Sequence, residues 1–224
     1  MSLPPSRTRR EFLAGAAALG AAPPRRRGGK EVEVTPAEDL MREHGVLNRI
    51  LLVYEEGIRR LEAGVELPPD AVSGAAGLVR RFVEDYHEKL EEEHLFPRFE
   101  KADALADLVV VLRAQHEAGR RVTGDILGLA SPAMTGDPRN RQTLVSRLRS
   151  FVRMYRPHEA REDTVLFPAL RRLIPEREYR SLGERFERRE HELFGERGFE
   201  GIVDEVAAIE KSLGIHDLAQ FTPA

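Results

Sequence analysis

The chain has 224 residues, of which 41% are hydrophobic and 33% charged, enough for one domain with a substantial core plus extensions. A formal net charge of −3 provides no overall basic field, which argues against nucleic-acid binding. Zero cysteines exclude disulfides, thiolate metal sites and cysteine nucleophiles, and no run of about 18 apolar residues predicts an ordinary membrane span.

The N-terminal stretch SRTRREFLAGAAALGAAPP resembles a twin-arginine export signal. Arg9 and Arg10 form the basic pair, Phe12 and Leu13 supply the apolar positions that follow it, and a short Ala/Gly/Leu run ends in prolines. We therefore expect residues 1–30 to be an export signal and the protein to be periplasmic. The alternative is an unstructured basic tail on a cytoplasmic protein.

Helical periodicity begins at Thr35. In TPAEDL, Thr35 is a candidate N-cap, Pro36 stands at the first helical position, and acidic residues follow in the first turn. The turn-forming stretches AGVELPPD and SPAMTGDPRN interrupt the periodicity further along the chain. These boundaries predict four long helices, the first ending near residue 63 and the others at about 71–99, 103–130 and 138–172.

Four long amphipathic helices with short connections favour an all-α, up-down-up-down four-helix bundle over residues 31–172. Residues 173–224 are highly charged and are interrupted by FGERGFEG. We expect them to form an extra C-terminal helix, packed outside the bundle or across one end, followed by a tail.

An internal repeat relates the two halves of the predicted bundle. HEKLEEEHLFPRF (87–99) and HEAREDTVLFPAL (158–170) match at an offset of 71 residues, sharing a His-x-x-x-Glu pair and a Leu-Phe-Pro triplet. One further histidine in the helix before each segment repeats with an offset of 72. A metal site shared between two tandem hairpins explains this register, whereas a solvent-exposed charged face does not require it. The repeated candidates are His44, His87, Glu91, His116, His158 and Glu162.

Helix geometry brings each His-x-x-x-Glu pair to one point, because residues four apart lie about 40° apart around the axis. Residues five apart lie about 140° away, which makes Glu92 and Asp163 poorer partners for the same ion. One inward histidine from each of four helices, with two glutamates, offers four nitrogens and two carboxylates. That set suits two iron or manganese ions bridged by the carboxylates, with open positions for a small ligand.

At these residues the sequence resembles the hemerythrin-like (HHE cation-binding) family, over about 36–172. The resemblance implies a four-helix bundle around a non-haem di-iron centre that handles dioxygen or related small molecules. Carried over by position, the implied metal ligands are His44, His87, Glu91, His116, His158 and Glu162.

Two positions depart from the oxygen-carrying members of that family. Arg120 stands where the carriers place a second histidine one turn after the third-helix histidine, and the repeat favours Glu162 over Asp163, which stands at their last carboxylate position. The arrangement is similar to that of members associated with sensing, iron handling, or peroxide and nitric-oxide chemistry. We therefore expect two iron ions, with manganese and zinc as alternatives, and a small ligand: dioxygen, nitric oxide or hydrogen peroxide.

Other polar side chains near the repeat receive weaker roles. His94 is expected beside the ligands rather than among them, and Glu88 and Glu159, about 100° away from the ligand face, on the surface or beside the site. Solvent-exposed positions are expected for Glu43, His191 and His216.

The tyrosines and Arg120 have two interpretations each. Tyr54, Tyr86 and Tyr155 are either phenols close to the metal centre or ordinary core aromatics. Arg120 either donates to a carboxylate, closes the pocket, or reaches solvent. The Leu-Phe-Pro triplets are expected to shape the helix beside each site, because proline inside a helix removes a backbone hydrogen bond.

Two other functional classes stay open. A ferritin-like carboxylate enzyme would use Glu-x-x-His on two separate helices, but here Glu84-x-x-His87 and Glu91-x-x-His94 lie on one helix. A metal-free helical bundle acting as a structural or partner-binding module would leave the repeat without a chemical role.

Overall fold

The computed structural model describes residues 34–223, so the predicted export signal lies outside the described residues. The first helix, α1, spans Pro36–Ala63. Thr35 caps it as predicted: its side chain accepts from the Glu38 N–H, and the Glu38 carboxylate accepts from the Thr35 N–H, forming a capping box. Gly64, with a left-handed φ of 64°, ends the helix.

Three further long helices complete the bundle. The second, α2, is a continuous helical run over 71–101, α3 spans Ala106–Leu129, and α4 is a continuous run over 138–173 that follows a one-turn helix, Pro132–Thr135. Helices α1 and α4 pack together, as do α3 and α4, and α2 packs on both α1 and α3. This confirms the predicted all-α four-helix bundle.

Helices α2 and α4 contain wide π-helical turns. In α2 these are Val79–His87 and Glu91–Leu95, and in α4 the turn is Glu162–Leu166. The Phe96 N–H donates to the Glu91 carbonyl, five residues back, and the Phe167 N–H donates to the Glu162 carbonyl in the same way. A proline follows each phenylalanine, and its ring crowds the carbonyl four residues earlier, which a wider turn relieves. The repeated Leu-Phe-Pro triplets thus mark two equivalent π turns that begin at repeated glutamates.

The C-terminal segment forms two helices, because the predicted interruption at FGERGFEG divides it into α5, Glu176–Phe194, and α6, Gly198–Leu213. The connecting 3-10 turn ends at Gly198, whose φ is 41°. A Cβ on Gly198 would lie 2.1 Å from Oε1 of Glu190, the oxygen that accepts from the Phe199 N–H. Only glycine fits this turn.

Helices α5 and α6 pack against the first hairpin and extend its core. Both contact α1, and α6 also contacts the N-terminal part of α2. Phe194 lies against Phe82 and Tyr86, with ring centroids 5.7 and 5.3 Å apart. Side chains from α5 and α6 that join the core include Tyr179, Leu182, Phe186, Ile202 and Val206.

Among the helices of residues 34–223, none is both long enough and apolar enough to cross a bilayer.

Replacing Phe186 by alanine is expected to lower the free energy of unfolding by about 3–5 kcal/mol, because its fully buried ring joins α5 to the bundle core. The matched control is Phe221→Ala, where the ring is 50% exposed and the expected change is within about 0.5 kcal/mol. Urea denaturation followed by circular dichroism measures both. Equal stabilities for the two variants would show that α5 contributes nothing to the bundle.

Candidate metal centre

All six residues singled out by the repeat converge in the interior of the bundle. His44 comes from α1, His116 from α3, a His–Glu pair from α2 and another from α4, and none is more than 4% exposed. They form two groups, each with ligand atoms within 4.8 Å of one another. The first group is His44, His87 and Glu91, and the second is His116, His158 and Glu162.

Each hairpin supplies one histidine pair. The Nε2 atoms of His44 and His87 lie 3.0 Å apart, and the ring centroids of His116 and His158 lie 5.1 Å apart. Because one residue of each pair comes from each helix of a hairpin, packing within the hairpin sets the separation of its imidazoles. The two pairs are related by the sequence repeat.

The two glutamates connect the histidine pairs. Oε2 of Glu162 lies 3.1 Å from Nε2 of His158 and 3.4 Å from Nε2 of His44. Oε2 of Glu91 lies 3.4 Å from Nε2 of His116 and 3.9 Å from Nε2 of His87. Each carboxylate therefore faces imidazoles from both hairpins, which is the placement needed to bridge two ions.

Each of the four imidazoles also forms a hydrogen bond on the side that faces away from the glutamates. The Nδ1 atom of each ring lies 2.7–3.2 Å from a carboxylate or amide oxygen. Such oxygens only accept, so Nδ1 carries a proton and donates it, and Nε2 faces the interior. The four pairs are His44 with Asp163, His87 with Glu43, His116 with Glu92, and His158 with Gln115.

The acceptors obey the same repeat as the histidines. Glu43 and Gln115 each precede the first histidine of a hairpin and hold the second histidine of that hairpin. Glu92 and Asp163 directly follow Glu91 and Glu162 and reach a histidine of the other hairpin. The placement about 140° around the helix, which makes them poor ligands, is what brings them behind a neighbouring ring.

The expectation that Glu43 faces solvent was wrong. Glu43 is 1% exposed, and it also accepts a hydrogen bond from the Tyr86 hydroxyl at 3.0 Å. The sequence carried the signal in the match of Glu43 with Gln115. That match is missed when only charge is compared, because an amide oxygen accepts a hydrogen bond as a carboxylate does.

Glu88 and Glu159 are buried rather than on the surface. Glu88 accepts from the Tyr155 hydroxyl at 2.7 Å and lies 2.7 Å from Nη2 of Arg120, which also contacts Glu92 at 2.6 Å. The repeat equivalent, Glu159, accepts from the side chain of Asn48. Arg120 is therefore a donor to carboxylates, one of its predicted roles.

Electrostatics inside the site favour a positive charge between the glutamates. Burial and the charge of Glu162 raise the pKa of Glu91 well above its usual range. Burial also opposes ionisation of Glu162, but His158 and His44 outweigh it and lower the pKa of Glu162. Burial alone lowers the pKa of His44, yet Asp163 and Glu162 raise it to about 10. The pKa of the carboxylate with nearby imidazoles is thus lowered and that of its neighbour is raised, so added positive charge would favour ionisation of both.

Several of these atoms lack ordinary hydrogen-bond partners. In the described part of the chain, no well-oriented donor reaches either oxygen of Glu91 or Glu162, and Nε2 of His116 has no hydrogen-bond partner. An unsatisfied buried polar group costs about 1–3 kcal/mol. Imidazole nitrogens and carboxylate oxygens are ligands for divalent metal ions, so cations at this point would satisfy all of them.

The model of the family described as "Hemerythrin HHE cation binding domain" matches residues 35–170, the segment that holds all six residues. The chain belongs to this HHE family. Three mycobacterial proteins are each 53% identical to it over 195 residues, covering 87% of this chain and 76% of each relative. They are the "Uncharacterized protein Rv1995" and "MT2051" of Mycobacterium tuberculosis (strains ATCC 25618 / H37Rv and CDC 1551 / Oshkosh) and "Mb2018" of Mycobacterium bovis. No solved structure matches the chain.

Other candidates lie away from the centre of this HHE domain. His94 stacks on Phe186 of α5, with ring centroids 5.9 Å apart, instead of lying beside the ligands as expected. Tyr54 packs edge-on against Phe151, which fits a core aromatic. His191 and His216 are exposed, as predicted.

Gly119 makes room for Tyr155 in the HHE domain, since a Cβ there would lie 2.1 Å from the Tyr155 hydroxyl oxygen. Gly119→Ala is expected to destabilise the fold by about 1–3 kcal/mol through overpacking, despite the higher helix propensity of alanine. Gly124→Ala is the matched control on α3, where the nearest atom is the flexible end of Arg80 at 3.7 Å. Thermal unfolding measures both. A Gly119→Ala variant as stable as Gly124→Ala would contradict this packing.

Proposed function

We propose that this protein is a non-haem di-iron protein that binds, senses or reduces a small ligand: dioxygen, nitric oxide or hydrogen peroxide. The observation that carries the proposal is that Glu91 and Glu162 each face both histidine pairs, while the Nε2 atoms of all four histidines face the interior between them. The six residues also divide into two groups, each with two imidazoles and one carboxylate close enough together to hold an ion, which supports two ions rather than one.

The donor set supports two ions of the same kind. His44 and His87 would serve one, His116 and His158 the other, and the two glutamates would be shared. Each ion would then have four protein ligands, fewer than the six that iron commonly takes, which leaves room for a small ligand. When bound, the iron would supply redox capacity and Lewis acidity to that ligand.

The surrounding side chains limit what reaches the site. Phe96 stacks on His116 and Phe167 stacks on His44, both with ring centroids 5.4 Å apart. These repeat-related rings form apolar walls beside the imidazoles, so bulk water is kept out and a small uncharged ligand is favoured. Arg120, one turn after His116, is held by Glu88 and Glu92 and does not provide a fifth nitrogen ligand.

Purified protein is expected to contain two iron ions per chain by elemental analysis. Glu91→Ala and Glu162→Ala should each lower metal affinity at least tenfold, because each removes a ligand shared by both positions. Glu93→Ala is the control, since Glu93 is an exposed glutamate on the same helix. Full metal content in both bridging variants would overturn the proposal, and two manganese or zinc ions in place of iron would change its metal.

Ligand binding is expected to change the optical spectrum of the iron-loaded protein. Anaerobic ferrous protein is mixed separately with dioxygen, nitric oxide and hydrogen peroxide, and the absorption is recorded over time. A saturable change with at least one of the three identifies the ligand class, and Glu162→Ala should abolish it. No change with any of them would leave a metal-binding protein without the proposed ligand chemistry.

A further inference from the structure

We infer that the two cation positions are unequal, with the position of His44 and His87 binding its ion more tightly than the position of His116 and His158. The inference rests on the proposed di-metal function. The first position is defined here by His44 and His87, and the second position by His116 and His158. Both positions have two histidines and share the same two glutamates. A difference in metal affinity must therefore come from the residues that contact these side chains.

The residue behind the second histidine of each hairpin differs in charge. His87 donates to the carboxylate of Glu43 at 2.7 Å, whereas His158 donates to the amide oxygen of Gln115 at 2.9 Å. A carboxylate acceptor makes the imidazole a stronger donor to a metal than a neutral amide does. This exchange leaves the second position with one negative charge fewer.

The donors to the flanking carboxylates differ in the same direction. At the first position, Glu159 accepts from the neutral side chain of Asn48. At the second position, the equivalent carboxylate, Glu88, lies 2.7 Å from the guanidinium of Arg120. Asn48 and Arg120 are themselves related by the 72-residue offset, so this exchange adds one positive charge beside the second position.

A third exchange affects the acceptor of the first histidine in each hairpin. Asp163 accepts a hydrogen bond from His44 at 2.8 Å, and its repeat equivalent, Glu92, accepts one from His116. Arg120 and Lys89 each lie 2.6 Å from an oxygen of Glu92. The residue that corresponds to Lys89 in the second hairpin is Ala160. The positive charges of Lys89 and Arg120 therefore offset the negative charge of Glu92, which weakens its effect on the His116 imidazole.

All three exchanges make the second position more positive than the first. Cations repel a bound metal ion, and carboxylates behind a ligating imidazole strengthen its bond to the metal. The burial of Glu43 and Glu88 limits the screening of the first two differences by salt, whereas the side chain of Lys89 is 41% exposed and its charge contributes least. The two positions thus have the same kinds of ligand but differ in the charges of the residues around them.

The test is a titration of the metal-free full-length chain with ferrous iron under anaerobic conditions, by equilibrium dialysis with elemental analysis. The wild-type protein is expected to bind two ions in separate steps, the first at least tenfold tighter. Gln115→Glu should tighten binding at the second position about tenfold or more, so that the gap between the two steps narrows or their order reverses. Glu43→Gln should weaken the first step by a similar factor. Glu117→Gln, an exposed glutamate on α3, is the control for a change of surface charge.

Ligand variants assign the steps to positions. His116→Ala should retain the tight step, whereas His44→Ala should lose it. Two equal steps in the wild-type protein, or a Gln115→Glu variant with the same two affinities as the wild-type protein, would overturn the inference while leaving the di-metal proposal intact. An absence of any bound iron would instead remove the proposed function itself.

Discussion

The burial of two neighbouring carboxylates is the constraint that the rest of this bundle has to satisfy. Glu91 and Glu162 are both fully buried, and burial together with the charge of Glu162 raises the cost of ionising Glu91. Helix packing alone does not offset that cost, so the site needs positive charge between them. The arrangement of four inward imidazoles follows from this need, because neutral imidazoles ligate a cation without adding charge of their own.

The four side chains that accept hydrogen bonds from the histidines fix the orientation of each imidazole. A free imidazole can present either nitrogen, and only the hydrogen bond on Nδ1 fixes which one faces the interior. Asp163, Glu43, Glu92 and Gln115 perform that task for the four rings. Two of these bonds cross between hairpins, so the same contacts that orient the ligands also hold the two halves of the bundle together.

The sequence was sufficient for the helices and the six converging residues, because an exact register of His-x-x-x-Glu survives in both hairpins. It was insufficient where the residue type differs between the hairpins but the hydrogen bond is the same. Glu43 and Gln115 both accept from a histidine, and the difference in charge between them concealed this shared role. Helical angle alone left Glu88 and Glu159 either on the surface or beside the site. The side chains of Tyr155, Arg120 and Asn48 decide this by covering the two carboxylates beside the site. The contact of His94 with α5 depends on how the C-terminal hairpin docks, which helical periodicity does not encode.

The tandem repeat has a consequence for how such a centre can diversify. Two separate, identical hairpins related by a twofold axis would reproduce the ligand set, but every substitution would then appear on both sides. Joining the hairpins in one polypeptide removes that restriction. Positions 43 and 115, or 48 and 120, are free to vary independently, so a repeat within one polypeptide allows one half of the site to change while the other half stays as it is.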